Sequence, residues 1–241
     1  MKTLFHFFLL AAIMMMASCS GNKSEIKINR TTDSLLTINI QHPQALLLIP
    51  IQENAPEAQM RLNTGAPTDT WMDVRLAVDR IDYYVPFALT DSTHPANQAV
   101  VEVKKQPKAT AKCWDNLKTA DTFDTSNTDQ YRPVYHHTPA YGWMNDANGL
   151  VYKDGEWHLY FQYNPYASVW GNMHWGHSVS KDLVHWQRLQ PAIERDTLGH
   201  IFSGSAVVDH NNSAGFGKNA IIAYYTSHLE DGSRSRELIE Q

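Results

Sequence analysis

The chain's 241 residues are 43% hydrophobic, 19% charged and 11% aromatic, enough apolar surface to bury one large or two modest cores, so it is globular and not disordered. Its 20 Lys and Arg against 25 Asp and Glu leave a formal net charge of -5, without the basic excess that binding a nucleic-acid backbone or an anionic bilayer requires. Two cysteines, Cys19 and Cys113, exclude a disulfide framework and any Cys-rich zinc or iron-sulfur site, which leaves the chemistry to oxygen, nitrogen and aromatic side chains.

Lys2 precedes an apolar run, Leu4 to Met16, interrupted only by His6 and too short to span a bilayer; this pattern reads as a secretory signal. The run ends in Met16-Ala17-Ser18-Cys19, which resembles a bacterial lipobox. That resemblance implies a signal peptide over 1–18, lipidation of Cys19, and an exported lipoprotein of the cell envelope held to the membrane through its lipid alone. An ordinary signal peptide with an incidental Cys19 is the alternative. Residues 19–30 read as anchor and tether, and Cys113 as a small buried apolar residue.

Residues 31–118 predict a small β-sandwich-like module. Met72, Val74, Leu76 and Val78 alternate with mostly polar neighbours, the period of a strand with one buried face, and similar runs recur at Leu35 to Ile40, Ala45 to Ile51, Tyr83 to Leu89 and Ala99 to Val103. Turn-forming clusters at Asn63 to Pro67 and Asp91 to Pro95 separate them, and no helix of convincing length is predicted. Trp71, Tyr83 and Tyr84 read as core aromatics before they read as a sugar platform. Residues 119–134, rich in Asp, Thr, Ser and Asn, read as a linker.

Beyond it, across residues 135–241, aromatic density rises: every tryptophan but Trp71 lies beyond Cys113. These rings alternate with Asn145, Gln162, Asn164 and Asn172, the mixture a sugar site needs, because sugars offer C–H faces for stacking and hydroxyls that require hydrogen-bond partners. Asp154-Gly155 predicts a tight hairpin between Gly149 to Lys153 and Trp157 to Tyr163, and further strands are predicted at His174 to Ser180, Ala206 to Asp209 and Ala220 to Thr226. Repeated hairpins suit the blades of a β-propeller or a second sandwich. His174 and His177 have a spacing that could hold a metal, but no third ligand accompanies them, and neither a metal nor a cofactor is expected.

The segment Trp143-Met144-Asn145-Asp146-Ala147-Asn148-Gly149 resembles the Trp-Met-Asn-Asp-Pro-Asn-Gly box of glycoside hydrolase family 32, which includes invertases, levanases and inulinases. Three more stretches support the resemblance in the right order: Phe161 to Pro165, Trp170 to Trp186, and Phe202 to Ala206. The module before them is similar to an extra N-terminal domain of some family members from gut Bacteroidetes. The resemblance implies a five-bladed propeller and makes Asp146 the nucleophile of a retaining double displacement on a terminal fructosyl unit of a fructan or sucrose. It gives Asn145 and Gln162 roles in holding the fructose or orienting the nucleophile, and places Trp170, Phe202 and Ser203 in the pocket wall. Two positions depart from the pattern: His137 stands where Phe is usual, and Ala147 where Pro is usual.

The same resemblance calls for an Asp in an Arg-Asp-Pro motif and a general-acid Glu, commonly before Cys; neither motif is present, and Arg195-Asp196 is followed by Thr197. Five four-stranded blades at roughly 10 to 12 residues per strand and turn outrun the residues after Asp146, and about two blades fit. The expectation is an all-β chain comprising the N-terminal part of a fructosyl hydrolase, with little activity by itself. A lipid-anchored, non-catalytic fructan-binding protein or an inactive gene fragment remains the alternative.

Overall fold

The computed structural model describes residues 23–32, 34–89, 97–126, 130–229 and 235–240. The signal peptide, Cys19 and the turn at Asp91 to Pro95 lie outside the described residues. The architecture is all-β, with one four-residue helix, α1 (Cys113–Asn116), among the described residues.

The first unit is a sandwich of two antiparallel sheets. One sheet contains β1 (Glu25–Arg30), β2 (Leu35–Gln41), β4 (Ala58–Leu62), β5 (Met72–Val74) and β7 (Gln98–Lys104) in the order β1-β2-β7-β4-β5. The other contains β3 (Leu46–Ile51), β6 (Tyr83–Ala88) and β8 (Lys118–Ala120) in the order β6-β3-β8. Strict alternation drives the packing: Leu36, Ile38 and Ile40 point inward from β2 to meet Leu47, Ile49 and Ile51 of β3, all essentially without solvent contact.

Two expectations change here. Residues 25–30, read as tether, form β1, which pairs with β2 along its whole length at the sheet's edge. The run Trp71 to Val78, read as one strand, serves both sheets. Met72–Val74 pair with β4, whereas Leu76 makes a single bridge to Ile51 of the facing sheet. Gln52 ends the run by accepting the backbone N–H groups of Val78, Asp79 and Arg80 on its Oε1. Such a side-chain acceptor substitutes for a strand partner.

The second unit begins with a four-stranded antiparallel meander: β9 (Trp143–Lys153), β10 (Glu156–Asn164), β11 (His174–Ser180) and β12 (Trp186–Arg188). Asp154 and Gly155 both have positive φ, 49° and 89°, the backbone of the expected two-residue hairpin turn. A second sheet, β13 (His200–Asp209), β14 (Ala220–His228) and β15 (Ser235–Glu240), packs on the first through Val151, Tyr160, Trp175, Ile201, Ala206, Ala223 and Tyr225. The meander has the form of a propeller blade, and β13 to β15 supply three strands of the next.

Candidate active site

Asp146 lies in mid-strand, where alternation would dictate its direction, yet the strand is irregular at that point. Ala147 pairs with Phe161 and Met144 with Tyr163, so Asn145 and Asp146 together oppose the single residue Gln162. This is a β-bulge, which bends a strand and re-aims the side chains it carries. Asp146 is accordingly exposed. β13 carries a matching irregularity: Ile201 pairs with Ser227 and Gly204 with Tyr225, leaving Phe202 and Ser203 opposite Thr226. The two bulges face each other, and Ser203 Oγ donates to Asp146 Oδ2 at 2.8 Å.

Three consecutive residues of β13 are tied to three different strands of the first blade. Gln162 Nε2 of β10 donates to the Ile201 carbonyl at 2.9 Å, Trp175 Nε1 of β11 donates to the Phe202 carbonyl at 3.0 Å, and Ser203 reaches Asp146 of β9. Gln162 is 2% exposed and Trp175 1%, so the first two bonds are largely shielded from water, where an unmade partner would be costly, whereas the third is exposed. Gln162 therefore sits beneath the Asn145–Asp146 bulge and braces it against β13. Asn148, also buried, joins the brace when its amide is oriented to suit its neighbours, accepting from Gln162 Nε2 at 3.0 Å and Trp175 Nε1 at 3.2 Å.

Aromatic rings line one side. Trp170, 48% exposed, stacks on His200 at 5.7 Å and meets Phe202 edge-on at 6.1 Å, while Phe202 stacks on His228 at 4.6 Å. His200 Nδ1 accepts the Met173 backbone N–H at 3.0 Å, which fixes the ring that Trp170 rests on. Asn145 Oδ1 accepts from Trp143 Nε1 at 3.0 Å. The structure thus brings Asp146, Ser203, Phe202 and Trp170 into one continuous set, with Asn145 beside Asp146 in the bulge and Gln162 below it.

Other residues singled out in the sequence have structural partners. His174 and His177 are three residues apart on a strand and so face opposite sides. His174 is buried against the Asn172 carbonyl, and His177 lies 3.1 Å from His158 Nδ1. Burial pushes both imidazoles down to about 4. No group of three potential metal ligands occurs among the described residues. Cys113 is buried, and burial raises its thiol to about 12. Arg61 and Lys104 both sit over the Trp71 ring, Lys118 sits over Tyr84, and the Tyr83 hydroxyl donates to Glu53 at 2.7 Å. The three rings form no shared platform. His137 packs on Phe161 and Trp186 and meets Ser178 Oγ at 2.9 Å. Asp196 accepts the Leu198 N–H, as a turn residue does.

A cavity of about 790 Å³ opens between the sandwich and the first blade, lined in part by Phe123, Tyr141, Tyr163, Tyr166, Arg188 and Glu194. Neither Asp146 nor Ser203 lines it. In the sequence Arg195 stands out only as the neighbour of Asp196. It lies half-buried between the two units, where its Nη1 donates to Asp73 Oδ2 and Asn172 Oδ1. No local pattern marks Arg195 or His200, because their partners are remote in the chain; Asn164 and Asn172, read with the sugar-site mixture, are instead buried, Asn164 on its own loop and Asn172 against Asp73.

Residues 136–240 match the glycosyl hydrolases family 32 N-terminal domain. This part of the chain is similar to the N-terminal domain of that family. Residues 32–135 match a domain of unknown function, DUF4980, so the sandwich carries a family description of its own. A levanase of Bacillus subtilis is 56% identical to the chain over 116 residues, covering 46% of this chain and 17% of that protein. An extracellular exo-inulinase of Aspergillus awamori is 49% identical over 111 residues, covering 42% of this chain and 21% of that protein. Among solved structures, a fructofuranosidase of Schwanniomyces occidentalis complexed with fructose is 46% identical, with 45% of this chain and 23% of that chain covered and a TM-score of 0.41. The chain spans about a fifth of the length of the curated relatives it matches.

Proposed function

We propose that the family 32 domain supplies the nucleophile side of a retaining fructosyl hydrolase acting on fructan or sucrose-type substrates. One observation carries this reading: the exposed carboxylate of Asp146, aimed by a bulge and held by Ser203 at 2.8 Å beside the Trp170–Phe202 wall. A carboxylate oxygen of Asp146 attacks the anomeric C2 of a terminal fructosyl unit. The C2–O bond to the rest of the sugar breaks as a second carboxylic acid protonates the departing oxygen, and water then attacks C2 and releases fructose with retention. No residue of this sequence is assigned the part of that acid. Ser203 fixes which Asp146 oxygen is forward, and the Asn145 amide, its oxygen engaged by Trp143, offers its NH2 to a sugar hydroxyl. The relatives named levanase, exo-inulinase and fructofuranosidase with bound fructose support the substrate class.

The test isolates the nucleophile's step. Fructosyl fluoride carries a leaving group that departs without protonation, so attack by Asp146 can be read without a general acid. Fluoride release, or a protein mass increased by one fructosyl unit, is expected for the native sequence and not for Asp146→Asn. Binding of inulin that Asp146→Asn preserves and Trp170→Ala weakens, with no adduct and no fluoride, overturns catalysis and favours a non-catalytic fructan-binding protein. We propose in addition that the chain is exported and anchored by lipid on Cys19, on the strength of the Met16-Ala17-Ser18-Cys19 pattern.

A further inference from the structure

The loop between β10 and β11 carries Trp170, and its anchors converge on the sandwich. At its start Asn164 holds it from within, donating to the Val169 carbonyl at 2.9 Å and accepting the Tyr166 N–H at 3.0 Å. In its middle, the Ser168 N–H donates to the Tyr83 hydroxyl at 3.1 Å, and Ser168 Oγ bonds to Glu53; both partners belong to the sandwich. Tyr166 packs on Phe87 of β6, ring centres 5.6 Å apart.

At the loop's end the contact is closest. Asn172, 1% exposed, pairs with the backbone of Asp73 in β5 as a neighbouring strand would: its Oδ1 accepts the Asp73 N–H at 2.8 Å and its Nδ2 donates to the Asp73 carbonyl at 2.8 Å. Arg195 Nη1 closes the group, donating to Asn172 Oδ1 at 2.9 Å and to the Asp73 carboxylate at 3.2 Å. Asn172 has a φ of +42°, a left-handed backbone that asparagine tolerates better than most residues. The next residue, Met173, holds His200, on which Trp170 lies. Trp170 is thus set from two directions, through Gly171 and Asn172 by Asp73, and through His200 by Met173.

We propose that the DUF4980 sandwich positions Trp170 in the family 32 site, with Asp73, Asn172 and Arg195 as positioning residues that set the site's affinity for a terminal fructosyl group. The proposal deepens the functional reading of Asp146 and Ser203 and rests on it. A contact serving only to join two domains has no reason to run through the loop that bears the aromatic wall, because either unit offers other surface for docking. Here Ser168 and Asn172, on either side of Trp170, both bond to the sandwich.

Incorporating 5-fluorotryptophan gives Trp170 a fluorine resonance of its own, assigned with Trp170→Phe. Asn172→Ala is expected to shift and broaden that resonance in the ligand-free protein, to leave those of Trp157 and Trp186 in place, and to weaken fructose binding about tenfold, on the scale of one lost positioning bond. Asp73→Asn keeps both backbone bonds and the side chain's shape, removes the charge facing Arg195, and sets its NH2 against one of the two donors the carboxylate accepts from, Gln59 Nε2 or Arg195 Nη1. It provides the milder case, expected to move the same resonance and weaken fructose about threefold, and it serves where Asn172→Ala does not fold. An unmoved Trp170 resonance in Asp73→Asn overturns the proposal, as does a shifted resonance with unchanged fructose affinity. A shifted resonance in a protein whose native form shows no fructose response retains the clamp but overturns the functional reading, and with it the clamp's role in affinity.

Discussion

Gly204 tests the arrangement that presents Ser203 to Asp146. Its φ is not in the left-handed region, so its need for glycine is a matter of space alone. A Cβ there would stand 1.9 Å from the Tyr224 carbonyl oxygen and 2.8 Å from Tyr225 Cα, both backbone atoms of the paired strand β14. No rotamer relieves such a clash. Alanine has to push β13 and β14 apart by roughly 1.5 Å to reach ordinary contact, beyond the reach of a ladder hydrogen bond. Two lost ladder bonds at about 1 kcal/mol each and the strain of overpacking bring the expected cost of Gly204→Ala to about 3 to 5 kcal/mol. Gly215 is the control: its φ is +84° and nothing lies within 4 Å of its Cβ position. Gly215→Ala pays only for the left-handed backbone, about 1 kcal/mol. Urea unfolding followed by tryptophan emission reads both, since every tryptophan but Trp71 and Trp114 lies within residues 136–240. A Gly204→Ala midpoint equal to that of Gly215→Ala would refute the close approach of the two strands, and with it the bulge as drawn.

His174 and His177 give the fold a pH dependence of definite sign. In the unfolded chain their imidazoles take up protons near 6.5, whereas burial delays protonation in the folded protein to about 4. Stability is therefore fully present above about 6.5 and is lost as the pH falls toward 4; urea midpoints taken at pH 7.5, 6 and 5 should decline in that order, less steeply in His174→Gln. For the N-terminus, labelled palmitate should be incorporated into the native protein and not into Cys19→Ala; labelling that survives the substitution removes the lipid-anchor proposal.

The strands that bury one face were legible from period-two patterning, and Leu36, Ile38 and Ile40 are the clearest case. β1 was not, because an edge strand of Glu, Lys, Asn and Arg alternating with two isoleucines carries too little apolar signal to separate it from a tether. The end of the run at Val78 depends on Gln52, a remote acceptor that no window around the strand contains. The hairpin at Asp154-Gly155 was legible because its turn chemistry is local. Asp146 is the opposite case. By local pattern it reads as a turn residue, and only the ordered boxes marked it; what places it is a register shift, a property of two strands and not of one. The Asp73–Asn172–Arg195 group joins positions 99 and 122 residues apart, so it left no trace in any short stretch of sequence.

The bond between Ser203 and Asp146 spans 57 residues and joins two sheets. During synthesis from the N-terminus, β9 can pair with β10 and complete its bulge while Ser203 is still unmade. The carboxylate then waits, oriented by its own strand but facing water, until β13 docks. The Ser203–Asp146 contact is thus a late event in the chain's folding, gated by the arrival of the neighbouring sheet.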